Sequence, residues 1–193
     1  REIDALESLG RIGPLSVDPL LPVHTAWDLG MDDSTAIWFF QTEKGGVWRV
    51  ADYYENSGEG LKHYADVLQA RGYRYGRHIA PHDIAVRELG TGKSRLETAR
   101  ALGLRFTIAR NLPVMDGVNA ARRQLENCFF DGARCAAGIK ALRQYRKAWH
   151  EKADVYGSPV HDWTSHAADA FRYAAVGMMP ERTGERQEKT INW

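Results

Sequence analysis

Cysteine is scarce: Cys128 and Cys135 are the only two in 193 residues, too few for a disulfide framework. Six residues separate them, and no second pair or nearby HxxxH accompanies them, which argues against a zinc site. They read as two reduced, partly buried thiols of a cytoplasmic protein. No apolar run approaches the ~18 residues of a membrane span, and the N-terminus lacks a signal-peptide pattern. The sequence is therefore read as neither secreted nor membrane-bound. Neither sign of charge dominates, because 26 Lys and Arg face 25 Asp and Glu for a net charge of +1. Any affinity for nucleic acid must then rest on local clusters. What is present is 44% hydrophobic residues and six tryptophans, enough for the core of one ordinary domain.

Residues 1–23 hold three of the seven prolines and show weak periodicity, so they read as a linker or strap. The chain begins at Arg1, not methionine, which suggests a piece of something longer. Three runs rich in β-branched and aromatic residues follow, at 24–30, 34–43 and 47–56, and predict an antiparallel meander. Leu61, Tyr64, Ala65 and Leu68 form the stripe of a helix over 59–71, ended by Gly72. Residues 77–84 read as a buried strand running into a loop, 95–102 as a short helix, 104–110 as a strand and 117–127 as a helix. The segment 135–152 reads as helical, with Gly138 costing about 1 kcal/mol against alanine. A strong helix spans 162–178, and residues 180–193 form a polar tail. This order predicts an α/β domain over 24–179: a mixed central sheet of about five or more strands, flanked by helices on both faces.

The stretch "ELGTGKSRLETARALG" (88–103) imitates a nucleotide phosphate loop. That loop requires G-x-x-x-x-G-K-[ST], because the first glycine lets backbone amides converge on the phosphates. Counting back from Gly92-Lys93-Ser94 puts Arg87 at that position. No run ending in a carboxylate pair supplies the partner motif either, so no ATPase activity is expected. The simpler reading is a glycine-rich connection with a helix start at Ser94, reinforced by Glu97 as a capping box. Lys93 and Arg95 then suit phosphates of a DNA backbone.

Asp28 lies mid-to-late in the first predicted strand, and Asp83 ends the fourth, again after an apolar run. An aspartate in such a place is costly unless paired, hydrogen-bonded or bound to a cation. The two strands would be neighbours, so both carboxylates would emerge at one edge. Asp162, His166 and Asp169 share one face of the last helix. Three converging aspartates repel each other without a cation, and an all-oxygen set selects Mg²⁺ or Mn²⁺. Two such ions ~3.5–4 Å apart suit phosphodiester cleavage. Asp32 and Asp33, in the turn after the first strand, read as solvated turn residues.

In order and spacing, "WDLGMDDSTAIWFFQ", "VADYYENSGEGLKHYADVL", "APHDI", "GTGKSRLETARALGLRF" and "HDWTSHAADAFRYAA" resemble the C-terminal nuclease domain of the large terminase subunit of tailed double-stranded DNA bacteriophages. The likeness runs over about residues 24–178. It implies a ribonuclease H-like (retroviral integrase-like) fold and an endonuclease that cuts concatemeric viral DNA. Two divalent cations, Mg²⁺ or Mn²⁺, would be held by Asp28, Asp83 and Asp169. His82, Asp162 and His166 become candidates for supporting them, with His166 equally suited to helix packing. The resemblance also implies an N-terminal ATPase domain that nothing here matches, with residues 1–23 leading out of it. Its partners would be double-stranded DNA, the small terminase subunit and the portal or procapsid, in the cytoplasm of an infected bacterial host. DNA phosphates would meet some of Lys93, Arg95, Arg122, Arg123, Arg143 and Lys147, with Arg74 and Arg77 as further surface cations. Two other readings stay open. One is a different ribonuclease H-like nuclease, a junction resolvase or transposase relative; the other is a non-catalytic DNA-binding or docking module.

Overall fold

A computed structural model describes residues 2–30, 34–87, 92–145, 147–150, 155–159 and 162–179, with only the backbone described at 147–150 and 155–159. Asp32, Asp33, residues 88–91 and the tail from 180 lie outside the described residues.

The predicted meander is present as β2 (Val23–Asp28), β3 (Ser34–Thr42) and β4 (Trp48–Ser57), all antiparallel. Period-two patterning decides what each strand shows to either face. On β3, Ala36, Trp38 and Phe40 enter one core, while Ile37 and Phe39 enter the other. Both cores are apolar, so this strand is apolar on both sides. β5 (Tyr75–Ala80) lies parallel to β2, and β6 (Phe106–Ile108) lies parallel to β5. With β1 (Ile12–Gly13) and β7 (Cys128–Asp131) the order is β1-β7-β4-β3-β2-β5-β6, a seven-stranded mixed sheet.

α2 (Leu61–Arg71) and α3 (Arg95–Ala101) cover the face carrying Trp27, Ile37 and Phe39, through Tyr64, Leu68 and Ala99. The opposite face meets α1 (Glu2–Ser8), α4 (Val114–Leu125), α5 (Ala136–Gln144) and α6 (Ser165–Gly177). Small residues bring α6 close to the sheet: Ala167, Ala170 and Ala174 are buried against it. A Cβ on Gly177 would stand 2.5 Å from Ile79 Cγ2. The Trp38 indole nitrogen donates to the Ala167 carbonyl at 2.8 Å, fixing the helix along the strands.

Three expectations change. Residues 1–23 are built into the fold and are not a linker: Ile3 and Leu6 on α1 are buried, and β1 pairs with β7. Buried Gln41 donates to the carbonyls of Asp18 and Leu21 and accepts from the Asp18 amide, pinning the proline-rich stretch. The helix expected over 135–152 ends at Gln144, with Tyr145 extended; β8 (Lys147–His150) pairs with β9 (Val155–Pro159) in a separate hairpin. The strand expected over 77–84 stops at Ala80, and a 3-10 turn, His82–Ala85, follows Pro81, which has no N–H for the ladder. Cys128 and Cys135 are free thiols and fully buried.

Candidate active site

The adjacent parallel strands β2 and β5 deliver two acids to one end of the sheet. Asp28 is the last residue of β2, and Asp83 follows β5 on the 3-10 turn, exposed. α6 crosses that end and contributes Asp169 and His166. Asp83 stands on a turn beyond its strand, not at the strand's end.

Asp28 is the centre of the cluster. Its Oδ2 lies 3.1 Å from His166 Nδ1, and its side chain is only 19% exposed. Burial pushes its carboxyl above the usual range; the His166 hydrogen bond opposes this, while the negative charges of Asp169 and Asp83 raise it further. Asp28 therefore lies within the electrostatic reach of both other aspartates. Asp169 Oδ1 accepts from Arg172 Nη2 at 2.9 Å and Nε at 3.1 Å. No described residue bonds the remaining oxygen of Asp28 or of Asp169.

Two groups near the candidate acids were not singled out by the sequence. Strand register sets Asp28 opposite Ala36, and Ala36 opposite Glu55, so both acids lie in one row across β3. The Tyr53 hydroxyl donates to Glu55 Oε2 at 2.5 Å. Burial first, then Glu55 and Asp28, push that phenol well above its ordinary value. The signal was Glu55 lying two positions after core-facing Tyr53, but it needed the pairing register to be read. Arg172 is the second group, hidden by its place inside an apolar helical run.

The supporting candidates separate. His166 is buried and bonded to Asp28. Asp162 closes the turn before α6, with Oδ1 accepting from the Thr164 amide at 2.9 Å and hydroxyl at 2.5 Å. Its charge also acts on Tyr145, raised to about 12 by burial and then by Asp169. His82 is exposed on the turn beside Asp83. Of the cations, Arg95 donates to the Leu29 carbonyl at 2.8 Å and so ties α3 to the loop after Asp28. Arg122 pairs with Glu2 at 3.3 Å, and Arg143 with Asp4 and Glu7 at 2.9 and 2.6 Å, which binds both to α1. Arg74 donates to the Leu20 carbonyl. Lys93, Arg77 and Arg123 are exposed, and the side chain of Lys147 lies outside the described residues. Ser94 and Glu97 form the expected capping box, and Arg87 pairs with Ser94 in an isolated antiparallel bridge.

Carboxylate donors, two of them with an oxygen that no described residue bonds, suit the chemistry of a hard divalent cation. As the side chains stand, no group of three acids, histidines or cysteines among the described residues is close enough to hold one. Among the described residues no helix is long and apolar enough to cross a membrane.

No family model and no curated protein matches the sequence. Solved structures do. The large terminase of a thermophilic bacteriophage, in complex with ADP, aligns over 92% of this chain and 44% of its own, at 19% identity and a TM-score of 0.69. The present chain thus spans less than half of that protein. The nuclease domain of the large terminase from bacteriophage SPP1, solved with bound Mn, aligns over 84% of this chain and 93% of its own, at 19% identity and TM-score 0.59. The P22 large terminase nuclease domain aligns over 85% and 84%, at 17% identity and TM-score 0.64. The chain has the ribonuclease H-like fold of large terminase nuclease domains.

Proposed function

We propose that this chain is the metal-dependent endonuclease domain of a DNA-packaging terminase, cutting concatemeric double-stranded DNA. One observation supports the reading: Asp28 ends β2, Asp83 follows the adjacent strand β5, and Asp28 feels the charges of both Asp83 and Asp169, in a fold shared with terminase nuclease domains. The SPP1 domain was solved with Mn and the nuclease of thermophilic phage G20c with cobalt, which favours a divalent cation here as well. The double-stranded DNA substrate, the ATPase portion of a longer protein, the small subunit and the portal belong to the same proposal.

Two bound divalent ions would supply water activation and charge neutralisation at the leaving oxygen. The chain's own residues prepare the place. His166 restrains Asp28 from α6 through its bond to Oδ2. Asp83, exposed on its turn, is the member best placed to face a duplex arriving from solvent. Lys93 and other exposed cations provide sequence-independent attraction to phosphates.

The test is nicking of supercoiled plasmid in Mn²⁺ or Mg²⁺, beside Asp28→Asn, Asp83→Asn and Asp169→Asn. The parent should relax and then linearise the plasmid, with each variant at least a hundredfold slower. An intact plasmid with the parent, or equal cutting by the variants, ends the nuclease reading. A second reading, a non-catalytic DNA-docking module, is favoured by the spacing of the acids, which form no ready three-ligand cage among the described residues. It predicts plasmid binding without cleavage in the same experiment.

A further inference from the structure

We propose that Arg172 is a positioning residue: it locks one oxygen of Asp169 so that the other is presented to the carboxylate cluster, and Gly117 exists to seat it. The inference rests on the nuclease reading and extends it to a residue outside the acid set.

An Asp–Arg pair three residues apart on an exposed helix is loose and exchanges with water. This one is not exposed, since the two side chains retain only 23% and 15% of their accessibility. Both guanidinium bonds go to the same oxygen, Oδ1, at 2.9 and 3.1 Å. The guanidinium carbon also lies 4.5 Å from the centre of the Tyr173 ring. Planar, multi-donor geometry fixes the plane of a carboxylate, which an ammonium cannot do.

The third restraint comes from α4. Gly117 is buried in the interior of that helix, where glycine is a poor choice, and its backbone is not left-handed. No turn or positive φ calls for it. A Cβ there would stand 2.9 Å from both Cγ and Cδ of Arg172. The missing side chain is thus a notch for the arginine stem. α4 holds the stem, Tyr173 the face and Asp169 the tip, so the carboxylate has one orientation. Groups that orient ligating carboxylates in this way typically change metal affinity ~10–100-fold when altered.

Mn²⁺ binding to the whole chain, without DNA, tests this by calorimetry on the parent, Arg172→Lys and Gly117→Ala. Lysine keeps the charge and loses the fork; alanine at 117 leaves Arg172 chemically intact and displaces its stem. Each variant should bind Mn²⁺ about tenfold more weakly, and plasmid nicking should require correspondingly more Mn²⁺. Circular dichroism and melting identify the folded variants. A purely structural ion pair would lower the melting temperature and leave Mn²⁺ affinity alone. Should either folded variant bind within twofold of the parent, or more tightly, the positioning role is wrong while the nuclease reading stands. A parent that binds no Mn²⁺ overturns both.

Discussion

Substituting Gly138 by alanine sets two physical effects against each other. In a solvated helix the change would stabilise by about 1 kcal/mol, because glycine leaves more backbone entropy to lose. Here the new Cβ would lie 2.3 Å from Trp38 Cη2, 2.7 Å from its Cζ2 and 2.8 Å from Tyr53 Cδ2. Trp38 is wholly buried, packed against Tyr53, Phe130 and Phe171, and its nitrogen is bonded to the Ala167 carbonyl. A ring so enclosed has no low-energy way to retreat. Overpacking of this kind costs ~1–3 kcal/mol, and weakening the buried indole hydrogen bond adds about 1 kcal/mol. The net expectation is a loss of about 1–3 kcal/mol, hence a fall of roughly 3–10 °C in Tm for a domain of this size. Urea and thermal denaturation followed by circular dichroism measure it directly. Because Ala167 adjoins His166, plasmid nicking should fall with stability as α6 shifts. An unchanged or higher Tm would mean that α5 stands off the sheet and that the glycine has no packing reason.

Buried His78, whose imidazole burial holds at about 4 with help from the nearby His24, should make the protein lose stability as pH falls. Its folded pKa is depressed, so its stability is complete above ~6.5 and is lost at about 1.4 kcal/mol per pH unit on acidification. Urea melts of the parent and His78→Gln between pH 7 and 5 isolate this from Asp28, whose raised carboxyl acts in the opposite sense; parallel curves would refute it. Ser94→Ala removes the acceptor for the Glu97 amide and should cost ~1 kcal/mol, read as a urea-midpoint shift at constant slope. Arg71→Ala strands Asp52, which is 9% exposed and bonded to Arg71 at 2.5 Å; it also removes a guanidinium stacked on Phe39 and Tyr54. A loss of ~3 kcal/mol is expected, and a loss under about 0.5 kcal/mol would place that pair among weak surface bridges.

How much of this was legible in the sequence depends on how local each determinant is. The central strands and α2 announced themselves through periodicity, and the end of α2 through Gly72, whose φ of 65° is left-handed. The Ser94–Glu97 capping box lies within four residues and was equally plain. The failures are non-local. Two residues of β1 and four of β7 are strands only because each completes the other beside β4, and no window of sequence contains that pairing. Residues 1–23 looked like a linker because the groups that pin them, Gln41 and the α5–α1 ion pairs, lie far along the chain. Over 135–152 an apolar stripe and good helix formers argued for one long helix. Its end at Gln144 is set by tertiary context, since Tyr145 carries no breaker in its own side chain.

The site divides along the same line. Asp28 and Asp83 drew attention because an acid at the end of an apolar run is anomalous on its own, and Asp169 because it shares a helical face with Asp162 and His166. Arg172 and Glu55 did not, because a cation on a terminal helix and an acid near the end of a strand have ordinary explanations until partners are known. Glu55 acquires meaning from a register, Asp28 opposite Ala36 opposite Glu55. Arg172 acquires it from Gly117, far earlier in the chain, whose absent side chain is itself a packing statement. Sequence anomalies therefore point to the charged groups of the candidate site. The groups that orient them leave their trace on a different helix, as a residue that is locally wrong for its place.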